Sequence, residues 1–249
     1  MLETALAGLN APTLIGVALA VYCASVLQSA VGIGFGVIAG PVLMLASPEA
    51  VPGVVLLLGG STAFLSAVRG RRDIRLSELG IAMLGRLAGT LAAAGVLWAI
   101  PSREVFAMVF SMTLLVVVGL SATRPPISLT RRTLAVAGGF SGLLGTLIAV
   151  GALPMGLVYQ GQPAASARAT LNTFFAIGVI PSIAALAATG YLGATQVLQA
   201  VLLIPFVLLG HRAARDLLPF VDERYRPVVL SFCAVAALVV AVRAIADIA

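Results

Sequence analysis

Long apolar runs, cut by short polar stretches or by glycine and proline, make up this chain. Residues 1–11 form a slightly amphipathic lead. The first run starts at Pro12-Thr13 and reaches Ala46. As one helix it would measure about 52 Å at 1.5 Å per residue. A bilayer's hydrocarbon core is about 30 Å thick. The run must break, and Gly32, Gly34 and Gly36 mark the place. The pattern predicts a helix over about 12–31 and a shorter one over about 34–46. Ser47-Pro48 reads as a capped helix start, opening a span over about 49–68. Spans over 77–99 and 102–121 follow. A second long run, 133–160, is broken within 142–151 and carries Pro154. Spans over 164–189 and 194–212, a charged loop over 211–226 and a span over 227–245 complete the chain.

Composition turns this pattern into a fold class. The chain is 61% hydrophobic and 10% charged, against about 25% charged in soluble domains. The expectation is an all-α, polytopic transmembrane bundle. The net charge of +6 does not point to nucleic acid, because no basic face with stacking aromatics is present. All basic residues are arginines in short loops or at span ends, Arg86 excepted, as membrane orientation requires. Cys23 and Cys233 lie in apolar runs and read as small buried hydrophobes, with neither a disulfide framework nor a metal site. No cofactor is expected. The first run lacks a basic leader, so a cleaved signal peptide is not expected. Trp98 is placed as an interfacial anchor.

The pattern repeats. An offset of 113 lays Pro154 on Pro41, Gly145 on Gly32 and Ser141 on Gln28. The order of features also recurs: broken helix, span, span, capped turn, span. Two repeats are expected, 1–123 and 124–249, within one membrane domain. If each broken element returns to the side on which it began, the repeats are inverted. The loops 69–75, 124–132 and 211–226 and Arg168 then place twelve arginines on one face. Parallel repeats would spread them evenly. The positive-inside rule selects the inverted arrangement, with both termini outside.

Candidate chemistry gathers at the breaks. Gly32, Gly34 and Gly36, with Gly145 and Gly151, let the backbone unwind, and half-helix N-termini can face an anion. Small residues also serve plain helix packing. Gln28 and Ser29 precede the first break, Ser141 and Thr146 flank the second, and Asn172 and Thr173 follow in the next span. Their amides and hydroxyls can replace part of an anion's hydration shell, or can simply bond between helices. Arg86 lies about ten residues inside its span, so about 15 Å deep. An intramembrane arginine is a functional candidate, and its planar fork suits sulfite, sulfonate or carboxylate. Snorkelling is its structural alternative. Arg168 reads as an anchor nearer the interface. No carboxylate falls in the middle of a span, which disfavours an acidic proton relay or a cation site.

The break at 28–41, the loop Arg69-Gly-Arg-Arg-Asp-Ile-Arg75, the stretch Gly138-Gly-Phe-Ser-Gly-Leu-Leu-Gly145 and the stretch Ala167-Arg-Ala-Thr-Leu-Asn-Thr-Phe-Phe175 together resemble the TauE/SafE sulfite-exporter-like family over nearly the whole chain. The resemblance implies a permease exporting a small sulfur-containing anion, such as sulfite or an organosulfonate; with the two helix breaks, the expectation is a secondary transporter of the bacterial inner membrane working by alternating access. Thr146-Leu-Ile-Ala-Val150 departs from it, standing where a second glycine-rich run is usual, and predicts a less open second half-site. Substrate identity, coupling ion and homodimer formation are left open. Two other classes compete with this one. Gly139-Phe-Ser-Gly142 matches the serine motif of rhomboid-type intramembrane proteases, with His211 as the only histidine to act as base. His211 is expected at the interface. A membrane scaffold subunit would need no polar groups at the breaks.

Overall fold

The computed structural model describes residues 11–99 and 127–223. The lead up to residue 10 and the spans expected over 102–121 and 227–245 lie outside the described residues. Among the described residues there are eight α-helices, two short 3-10 turns and no strand. In chain order the helices are α1 (Ala11–Val31), α2 (Phe35–Ala46), α3 (Gly53–Arg69), α4 (Leu76–Ala99), α5 (Arg131–Ile148), α6 (Ala152–Tyr159), α7 (Ala164–Ala188) and α8 (Ala194–Glu223). Helices α1, α4 and α7 and the Ala194–Phe220 part of α8 are each long and apolar enough to cross a membrane.

Both long runs break. The first does so where its length requires, with Gly32 at φ 94° and Gly34 at φ 119° on either side of Ile33. Only glycine takes that region without penalty. The second break falls at 149–151. There Ala149 adopts φ 57° and its N–H turns back to the carbonyls of Gly145 and Leu144, closing α5. An L-residue pays roughly 1–2 kcal/mol for this conformation. The second break is therefore made without the glycine run of the first.

Three expectations are corrected. The charged stretch from 211 onwards is not a loop, because α8 continues to Glu223. Leu203, Val207, His211 and Ala214 are buried while Arg212, Arg215 and Asp216 are exposed, so one helical stripe stays packed through the charged segment. Ser47 does not cap a span. It precedes a 3-10 turn, Pro48–Ala50, with no side-chain cap bond, and α3 begins only after Pro52. Val51 is extended, as a residue before proline prefers. Cys23 is exposed rather than buried. The inward stripe of α1 is Val21, Ala24, Ser25 and Gln28, and Cys23 falls outside it.

Glycine contacts set the packing. A Cβ on Gly85 or Gly89 of α4 would run into the backbone of Ala135 or Gly139 on α5. A Cβ on Gly138 or Gly142 would run into Ala82 or Arg86 of α4. The two backbones thus touch along interleaved small residues. Packing neighbours recur between the halves. Helix α4 packs on α5 as α8 packs on α1, α4 meets α7 as α8 meets α3, and α1–α2 and α2–α3 correspond to α5–α6 and α6–α7.

Candidate functional site: a cavity between the two helix breaks

The starts of the two short helices meet. A Cβ on Gly36, in the first turn of α2, would clash with the carbonyl oxygen of Ala149 at the second break. Neither α2 nor α6 has a side-chain cap at its N-terminus. Phe35 and Gly36 from one start, and Gly151 and Ala152 from the other, line a common cavity of about 50 Å³. At roughly 10–15 Å³ per water by this measure, it has room for about four waters or one compact ion. First-turn N–H groups and the helix dipole make each start favourable for negative charge.

Arg86 of α4 lines the same cavity. It is 2% exposed, so it does not reach the headgroups. The glycine seam between α4 and α5 carries it to Ser141, where Nη1 donates to Oγ at 3.0 Å. The guanidinium carbon lies 5.0 Å from the ring centre of Phe174 and 5.6 Å from that of Phe175, both within cation–π range. Its stem crosses Gly178, where any Cβ would collide with Nε. Nε is buried and has no hydrogen-bond partner among the described residues. The one ion pair among them is Arg75 with Glu78, so no described carboxylate neutralises Arg86. A buried charge of this kind is costly unless something pairs with it.

The other sequence candidates separate. Gln28 and Gly145 line the cavity with Gly36 and Arg86. The Gln28 Nε2 donates to the carbonyl of Gly59 at 2.9 Å. Gly34 supplies the turn into α2. Gly32 serves close packing, since its Cβ would lie 2.9 Å from the Cα of Arg168. Ser141 acts through Arg86. Thr146 shares a hydrogen bond with Ser182 at 2.9 Å and donates to Thr90 at 3.4 Å, an interhelical pattern rather than a cavity wall. Asn172 donates to the carbonyl of Arg168 at 3.0 Å, and its buried Oδ1 has no hydrogen-bond partner among the described residues. Thr173 bonds back to Ala169. Neither Asn172 nor Thr173 lines the cavity.

Sequence reasoning missed Phe175, Gly178 and Ala149. The pair Phe174-Phe175 stood beside Asn172 and Thr173, but nothing local to α7 announces that an arginine from α4 crosses it. His211 was expected at the interface and is instead buried. Its Nδ1 lies 2.9 Å from Ser29 Oγ and 3.3 Å from Ser66 Oγ. Ser29 therefore belongs to this second cluster. Ser141 meets Arg86 and His211 meets Ser29 and Ser66, so the Ser141–His211 dyad of the protease reading is not formed.

Arg86 thus brings a buried guanidinium, without a carboxylate partner among the described residues, to the cavity at the two helix starts. The family model described as Sulfite exporter TauE/SafE matches residues 17–240. No curated protein and no solved structure matches the chain. With the match covering most of its length, the chain belongs to the TauE/SafE sulfite exporter family, a family of membrane transporters rather than enzymes.

Proposed function

We propose that this protein is a secondary transporter that exports a small anion, sulfite or a compact organosulfonate, across the bacterial inner membrane. The single observation that carries the reading is Arg86, a buried positive charge without a described carboxylate, opening onto the cavity between two half-helix starts. Arginine stays protonated even there, so the site is selective by sign. Its volume favours a compact oxyanion over an extended one. In this reading Arg86 pairs with the anion, Ser141 fixes the guanidinium, Gln28 and the starts of α2 and α6 complete the shell, and Phe175 helps to exclude water.

Alternating access follows if the halves are inverted repeats whose broken elements rock against each other. The recurrence of packing neighbours between the halves and the one-sided arginine distribution support that arrangement. It makes the chain multi-pass, with the arginine-rich loops inside. Purified protein in proteoliposomes should move sulfite faster than protein-free vesicles, with sulfoacetate slower and taurine, which carries an added cation, excluded. Absence of flux for every anion offered sinks the proposal.

A further inference from the structure

We propose that His211, with Ser29 and Ser66, is a proton-binding site whose proton crosses the membrane together with the anion; this rests on the transport reading above. His211 occupies in the second half the position that Arg86 occupies in the first. Gly85, just before Arg86, lies against Ala135, and Gly210, just before His211, lies against Tyr22. Ala135 and Tyr22 are 113 residues apart, the offset that lays Pro154 on Pro41. Arg86 reaches Ser141 on the first helix of the second half. His211 reaches Ser29 on the first helix of the first half. One half thus carries a permanent cation, and the other carries a group that becomes a cation only when it binds a proton.

The surroundings are built for that change. Ser66 Oγ donates to Ser29 Oγ at 3.2 Å. Ser29 can then donate to an unprotonated Nδ1, giving a hydroxyl chain that ends on the ring. Protonation turns Nδ1 into a donor, and the Ser29 hydroxyl must turn round. Ser29 follows Gln28, which lines the anion cavity, in the last turn of α1 before the break. The described charged groups facing the cluster are mostly positive. Arg69 on α3 donates to the His211 carbonyl at 3.1 Å, and Arg168 of α7 lies near Arg69. Arg212, Arg215 and Asp216 are exposed on α8 itself. Helix α1 offers Tyr22, and the Pro48–Ala50 turn offers Glu49 at the far end of α8, where its carbonyl accepts from Gln196. No described carboxylate pairs with the ring.

A proton arriving alone adds positive charge among arginines, which is unfavourable. An anion in the neighbouring cavity offsets that charge. Linkage is reciprocal, so the proton strengthens anion binding by the same factor. The proton and the anion therefore travel in the same direction, one proton taken from the side the site faces and released with the anion on the other.

The test uses sulfite-loaded proteoliposomes under an imposed pH gradient, and sulfite exchange at equal pH on both sides. A one-unit gradient, acid inside, is expected to speed wild-type efflux several-fold. His211→Gln should lose that response while keeping exchange within about threefold of wild type. Sulfite's own protonation is the same for both proteins and cancels in the comparison. A His211→Gln response equal to wild type overturns the coupling proposal, as does wild-type efflux indifferent to the gradient, and both leave the transport reading standing. No wild-type flux or exchange overturns the transport reading and the coupling with it. Should His211→Gln fail to fold, wild type still decides the question. Its single histidine gives one set of labelled imidazole resonances. Sulfite should raise the midpoint of their titration, and an unmoved midpoint, or no titration, overturns the proposal.

Discussion

The Arg86 side chain passes across Gly178 so closely that a single methyl group on Gly178 would occupy the place of Nε. The charge of α4 is thus seated by an empty position on α7. Gly178→Ala should push the guanidinium out of its seat without altering any group that touches the anion. Half-maximal sulfite concentration for transport is expected to rise at least tenfold. An unchanged value would mean that the seat of Arg86 does not matter for binding.

Removing the charge itself should have a larger effect. Hydrogen bonds to charged groups are worth about 1.5–3 kcal/mol, so Arg86→Met should weaken anion binding by about tenfold to a hundredfold. Arg86→Lys keeps a charge but loses the fork and should fall between Met and wild type. Ser141→Ala frees one N–H and should cost less than either. Sulfite-dependent thermal stabilisation of the purified protein ranks the four.

The contact between the breaks can be tested by size alone. Gly36→Ala sets a methyl on the Ala149 carbonyl, whereas Gly40→Ala in the same helix meets nothing within 4 Å. Overpacking of a tight contact costs about 1–3 kcal/mol. A clear fall in melting temperature is expected for Gly36→Ala and none for Gly40→Ala. Equal behaviour of the two would show that the breaks are not pressed together.

A polar cluster ties α6 to the loop before α4. Tyr159 OH donates to Glu78 Oε2 at 2.7 Å, Glu78 pairs with Arg75 at 3.1 Å, and Arg75 reaches Gln162 and Ser166. Tyr159 is buried, so Tyr159→Phe leaves Glu78 short of a donor and should destabilise by about 1–2 kcal/mol. Glu78→Gln should act in the same direction. Thermal unfolding of each variant measures this directly.

Topology has its own test. Single cysteines in place of Arg71 and Ala213, in a background lacking Cys23 and Cys233, should react with an impermeant maleimide from the same side of the membrane. Labelling from opposite sides would reverse the inverted-repeat arrangement.

Length and periodicity alone determined a good deal. A run too long for one crossing has to break, and glycines at alternate positions say where, because left-handed backbone is cheap only for glycine. The second break was harder to place, since Ala149 adopts that conformation under packing from Gly36 rather than from any preference of its own. The charged stretch after 211 read as a loop because charge density dominates local pattern. Only the neighbouring α1 and α3 reveal that one stripe remains buried.

The sequence by itself determined the membrane class, the two interruptions and Arg86 as the one cation deep in a span. Each follows from one-dimensional quantities: run length, hydropathy and the cost of a charge in lipid. The tertiary structure decided which groups share a site. It joined Gln28, Gly36, Arg86 and Gly145, sent Ser29 to His211, and turned Thr146 to Ser182. Those choices depend on which backbones approach across Gly85, Gly89, Gly138 and Gly142. Such contacts join residues fifty or more positions apart, and no local pattern in the chain encodes their partners.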